Sequence, residues 1–170
     1  MKYKVLYTLL FFTAFGFAQE TLSELLKKYN SESIPYISVH ELAMPKTKAI
    51  LLDAREDLEY KTSHLKDAIH IGYDNFDISL VTKKIKDKSL KIVVYCSLGI
   101  RSEDIAEQLK EEGYTNVFNL FGGIFEWKNN DYKVYNEKGE TADIHAFSKA
   151  WSKWLVKGNK VYSKDKKEND

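Results

Sequence analysis

The residues best suited to chemistry lie in one short run, Cys96-Ser97-Leu98-Gly99-Ile100-Arg101-Ser102, which holds the chain's single cysteine. A lone cysteine is most often a small, inert core residue. Here it closes the apolar run Ile92-Val93-Val94-Tyr95 instead of sitting within it, and Gly99 and Arg101 follow at once. A thiol at the mouth of a loop whose backbone N–H groups and helix terminus favour negative charge has a lowered pKa and becomes a nucleophile. The amides of Leu98, Gly99, Ile100, Arg101 and Ser102 are the expected cradle, with the Ser97 and Ser102 hydroxyls as further donors. Arg101 is expected to attract an anionic substrate; its alternative role is a salt bridge to a nearby acid.

That chemistry needs a strand before the cysteine and a helix after it. Residues 92–95 are β-branched or aromatic and suit a short strand buried on both faces of a parallel sheet. Ile105, Ala106 and Leu109 have helical spacing and lead to Gly113, a helix stop. Further strands are expected at 37–38, 50–52, 69–71 and 116–120. Helical pieces are expected at 39–44, 56–60 and 78–85, and from Gly122-Gly123 through Trp127. Leu22, Leu25, Leu26 and Tyr29 fall on one face of an amphipathic helix over 21–29. Alternating strands and helices imply an α/β fold with a parallel sheet, and ligands in such folds bind at the carboxyl ends of the strands. Asp53, Cys96 and the segment after Leu120 all stand at such ends.

The loop and its flanks resemble rhodanese-family sulfurtransferases. The resemblance extends to Asp53-Ala54-Arg55, to His64-Leu65-Lys66-Asp67-Ala68-Ile69-His70-Ile71, and to Leu120-Phe121-Gly122-Gly123 with Trp127 beyond it. It covers residues 37–134 and implies a single domain with a five-stranded parallel sheet and helices on both faces. It departs from the family at Lys66-Asp67, where Pro-Gly is usual, although Asp tolerates a left-handed turn, and at Gly72, where proline is frequent. By this resemblance Cys96 takes the outer sulfur of a donor such as thiosulfate and passes it from a persulfide to a thiol, cyanide or protein-thiol acceptor. Ser97 to Ser102 would bind substrate. Asp53 and Arg55 would support the site in a polar network with Glu59 and His64, which is preferred to an acid–base role. A phosphatase or arsenate reductase would place five residues between cysteine and arginine, usually after a histidine; here there are four, after Tyr95. A binding module without catalysis would often lack the cysteine.

Composition bounds the rest. Lys2 and Lys4, the apolar run 5–17 and Gly16-Phe17-Ala18 read as an export signal over residues 1–18, too short to span a bilayer comfortably. Its removal turns the formal charge from +1 to −1, so no nucleic acid or membrane partner is expected. The protein is expected to be exported, to the periplasm. Residues 19–36 are expected to hold the N-terminal helix and 135–156 a helical extension, with a helix around 144–155. Residues 157–170 are expected to form a charged flexible tail. His40, His64, His70 and His145 show no ligand spacing and there is no paired-cysteine motif; neither metal nor cofactor is expected.

Overall fold

The computed structural model describes residues 20–163. The expected export signal lies outside the described residues, as does the end of the expected tail, 164–170.

Five parallel strands form the central sheet: β1 (Tyr36–Ile37), β2 (Ile50–Asp53), β3 (Ile69–His70), β4 (Ile92–Tyr95) and β5 (Val117–Leu120), in the order β1-β5-β4-β2-β3. β4 is central, with Val94 in register between Leu52 and Asn119. Every residue of β4 is buried, because both faces are covered. Val93 and Tyr95 face a cluster with Leu25 of α1 (Leu22–Tyr29), α2 (Val39–Leu42) and Ile124 and Phe125 of α6 (Gly123–Asn129). Ile92 and Val94 face Val81 of α4 (Ile78–Lys84) and Ile105, Ala106 and Leu109 of α5 (Arg101–Glu111). Burial on both sides fixes register through alternation, since a one-residue slip would exchange the two clusters.

The expected strands and helices of the sheet are present within one or two residues, with α3 (Asp57–Thr62) as the helical turn after β2. Asp67 takes φ 60° and Gly72 φ 72°, so the turn where the family has Pro-Gly is made by a left-handed aspartate.

Beyond residue 130 the expectation fails. In place of the helical extension over 135–156, with its helix around 144–155, there are three short strands, β6 (Val134–Asn136), β7 (Gly139–Thr141) and β8 (Asp143–His145), then a 3-10 turn over Trp151–Trp154. Ile144, Phe147, Trp151 and Trp154 have helix-like spacing, but Phe147 takes φ 64°, which no right-handed helix accommodates. The expected tail also begins with structure: β9 (Asn159–Val161) pairs in parallel with β8. Apolar content could not reveal it. Main-chain bonds hold this strand, from Asn159 N–H to Ala142 O and from Ala146 N–H to Val161 O, each 2.8 Å.

Candidate active site

Cys96 follows directly on β4 and is 2% exposed. The backbone N–H of Gly99 donates to its Sγ at 3.1 Å, and the Ser102 hydroxyl lies 3.5 Å away. Burial pushes the thiol pKa up, but the charge of Arg101, the hydroxyl and backbone N–H of Ser102 and the N–H of Gly99 outweigh it, so the thiol sits below its ordinary value. α5 has no side-chain N-cap, which leaves its first turn to serve the sulfur.

The loop's shape is imposed from three sides. Gly99 takes φ 105°, where a side chain would be strained and its Cβ would lie 3.1 Å from Leu120 O. The Gly99 carbonyl accepts from Asn119 Nδ2 at 2.7 Å and from Asn30 Nδ2 at 2.8 Å. Beneath the loop, the first amides of α6 hold its carbonyls, with Ile124 N–H donating to Cys96 O (3.0 Å) and Phe125 N–H to Ser97 O (3.1 Å). This explains Gly123. A Cβ on Gly123 would overlap the Cys96 carbonyl oxygen and reach 2.8 Å from the Ser97 carbonyl carbon.

Asn119 was not apparent as a site residue, although an asparagine within the strand run Val117-Phe118-Asn119-Leu120 is a signal, since a buried amide must be satisfied. It is fully buried, and its Oδ1 accepts from Ser102 Oγ at 2.8 Å. A hydroxyl has one proton. Given to Asn119, it leaves Ser102 Oγ as an acceptor for a protonated thiol; turned to the sulfur, it stabilises the thiolate.

Arg101 has a more specific place than the sequence implied. Its Nη1 and Nη2 each donate to a Glu59 oxygen at 2.8 Å, and Nη2 also reaches Ser97 Oγ at 3.2 Å. Ser97 Oγ donates to Glu59 at 2.9 Å. Of the two roles weighed for Arg101, the salt bridge is the one that the structure displays; its field also favours the Cys96 thiolate. Burial raises the Glu59 pKa, but Arg101, Arg55 and the Glu56 N–H hold the carboxyl down to about 2.

Asp53 and Arg55, expected to support the site, do not line the space around the sulfur. They pair with each other, fully buried, through Arg55 Nε at 2.9 Å and Nη2 at 2.7 Å, and Nη2 also donates to Ser63 O at 2.6 Å. They tie the end of β2 to the loop ahead of β3. His64 stands outside this network, stacked 4.0 Å from the Tyr60 ring. Among the described residues, no group of three or more His, Cys, Asp or Glu side chains is placed to hold a metal ion.

A pocket of about 110 Å³ opens over the sulfur, lined by Cys96, Ser97, Leu98, Ile100 and Arg101 together with Phe147 and Trp151. The last two come from the C-terminal segment and were not apparent as site residues, because aromatic side chains at such spacing read as packing.

The profile of the rhodanese-like domain matches residues 38–130, more than half of the chain. The chain belongs to the rhodanese-like domain family. The rhodanese-like region is 37% identical over 79 residues to the thiosulfate sulfurtransferase GlpE of Haemophilus influenzae, covering 46% of this chain and 72% of that protein. It is also 37% identical over 83 residues to the tRNA uridine(34) hydroxylase of Erwinia tasmaniensis, covering 47% of this chain. The match spans only 24% of that relative's length. Among solved structures, a rhodanese-related protein from Thermoplasma volcanium superposes with a TM-score of 0.50 at 28% identity, covering 61% of this chain and 99% of that one. The BH2092 protein from Bacillus halodurans has the same fold, with a TM-score of 0.55 at 22% identity, covering 70% and 89%. Asn119, like Cys96 and the two glycines, lies within the matched rhodanese-like region; Phe147 and Trp151 lie beyond it.

Proposed function

We propose that this rhodanese-like protein is a sulfurtransferase that carries sulfane sulfur on Cys96. The observation that carries this reading is a buried thiol held below its ordinary pKa by Arg101, Ser102 and Gly99, at the bottom of a loop shaped by Gly99, Asn119 and Gly123. The Cys96 thiolate attacks the outer sulfur of the donor and the donor's sulfur–sulfur bond breaks. From thiosulfate the electron pair leaves with sulfite, and Cys96 holds the sulfur as a persulfide. Cyanide or a thiol then attacks that sulfur and restores the thiolate. The amides of Gly99 and Ser102 favour the anionic sulfur in both states. Its small-molecule donor and its acceptor, a small or protein thiol, meet at this pocket without a cofactor. The name thiosulfate sulfurtransferase borne by a 37% identical relative supports the same reaction class.

Export to the periplasm is part of the proposal, supported by Lys2, Lys4, the apolar run and the small residues before Gln19. Intact mass of the protein from its host tests it: a chain beginning at Gln19 is expected, and Met1 retained on cytosolic protein would refute export. Sulfur transfer is tested by thiocyanate formation from thiosulfate and cyanide, with the mass of the Cys96 peptide after exposure to thiosulfate and to alkyl persulfide. One added sulfur atom is expected in the wild type and none after Cys96→Ser; equal uptake or turnover in the serine variant would refute the reading.

A further inference from the structure

The pocket over Cys96 is completed by residues outside the family region. Phe147 and Trp151 lie past residue 130, yet they line the same space as the sulfur. The segment bearing them is anchored at both ends. β8 and β9 pair on either side of it, and Ile144 and Leu155 are fully buried in the core. Asn129 binds its exit, donating to Trp154 O and accepting from Val156 N–H, both at 2.8 Å. Between these anchors Phe147 holds φ 64°. A bulky side chain in the left-handed region is uncommon, and such strain persists where the surroundings fix it and clusters at ligand clamps. Phe147 N–H donates to His145 Nδ1 at 3.2 Å, and the Trp151 ring meets Tyr29 of α1 edge-on at 5.6 Å.

The wall changes what the pocket offers a ligand. The Phe147 ring lies 4.8 Å from Arg101 Cζ, while Glu59 takes two donors from the same guanidinium. The Ser97 hydroxyl is also committed to Glu59. Among the described residues, the remaining lining beside Cys96 is Leu98, Ile100, Phe147 and Trp151. A sulfonate-bearing dianion entering this space would leave water for apolar walls and a cation already neutralised, which is costly. A short uncharged carbon group would instead gain by burial.

We infer that Phe147 and Trp151 are specificity determinants that select, as sulfur donor to Cys96, a persulfide borne on a small uncharged alkyl or aryl group in preference to thiosulfate. The inference rests on Cys96 being a sulfur carrier. The thiolate attacks the terminal sulfur of R–S–SH, a new sulfur–sulfur bond forms, the donor's breaks, and R–S⁻ leaves and takes up the proton released by the transferred sulfur. The test measures kcat/KM for an alkyl persulfide and for thiosulfate in the full chain and in Trp151→Ala, Phe147→Leu and Trp151→Lys. The wild type is expected to prefer the alkyl persulfide. Trp151→Ala should lose about tenfold or more on that donor, mainly through KM, so that the preference for alkyl persulfide over thiosulfate falls by a similar factor; Phe147→Leu, which keeps apolar bulk, should lose less. Trp151→Lys should gain on thiosulfate, an outcome that a folding defect cannot mimic. Equal losses on both donors, or a wild-type preference for thiosulfate, would overturn the specificity role while leaving sulfur transfer in place. Absence of sulfur on Cys96 from either donor would overturn both.

Discussion

Replacing Glu59 by glutamine separates the electrostatics of the site from its packing. Glu59 is 3% exposed and its two oxygens accept from Arg101 twice, from Ser97 Oγ and from the Glu56 N–H. Glutamine keeps the shape but turns an amide donor toward a guanidinium donor and removes the counter-charge. Holding the carboxyl at about 2 instead of 4.5 corresponds to about 3 kcal/mol of stability at neutral pH. Breaking a buried pair from one side costs ~3–5 kcal/mol, and the 15% exposure of Arg101 favours the lower end. Glu59→Gln should therefore lose about 3 kcal/mol, a fall in Tm of roughly 6–12 °C for a domain of this size. Because the folded-state pKa is depressed, the contribution is fully present above pH 4.5 and disappears as pH falls through about 2, so the gap between wild type and variant should close over that window. The Cys96 thiol should move the other way and become more acidic, since Arg101 is released from its counter-charge. Thermal melts across pH, with Cys96 alkylation rate against pH, measure both quantities. An unchanged Tm, or a lower Tm accompanied by a less acidic thiol, would refute the electrostatic account.

Other expectations can be checked alongside it. Gly123→Ala should lose at least 2 kcal/mol, of which about 1–2 is left-handed strain, and should raise the thiol pKa by displacing the Cys96 carbonyl from α6; a wild-type melt would count against the clamp. Asp53→Ala should cost about 3–5 kcal/mol by leaving Arg55 fully buried and unpaired, without moving the alkylation profile of Cys96; a shifted profile would make the pair part of the chemistry. Ser102→Ala should raise the thiol pKa, because it removes one hydroxyl donor to the sulfur, and should cost about 1–3 kcal/mol by leaving the buried Asn119 Oδ1 without its donor; an unmoved profile would mean that the hydroxyl proton stays with Asn119.

The sequence by itself determined the parallel sheet and the loop. Ile92 to Tyr95 suit a strand buried on both faces, and the cysteine, glycine and helix that follow point to an anion cradle, because those properties are local: β-branched and aromatic content, positive φ and helix spacing act within a few residues. What only the tertiary structure decided is which groups meet across the sequence. Arg101 and Glu59 are 42 residues apart and pair because β2 and β4 are adjacent, so a cation that alone would suit a free anion is already neutralised. Asn119 falls inside the expected strand 116–120, and its role appears only where Ser102 and Gly99 are brought to its amide. The C-terminal segment was misread most, since aromatic spacing there mimics a helix while its backbone is set by pairing between β8 and β9. That pairing and the left-handed turn at Phe147 bring two aromatic rings to the sulfur. Neither leaves a periodic signal, because contacts distant in sequence depend on chain path and not on composition.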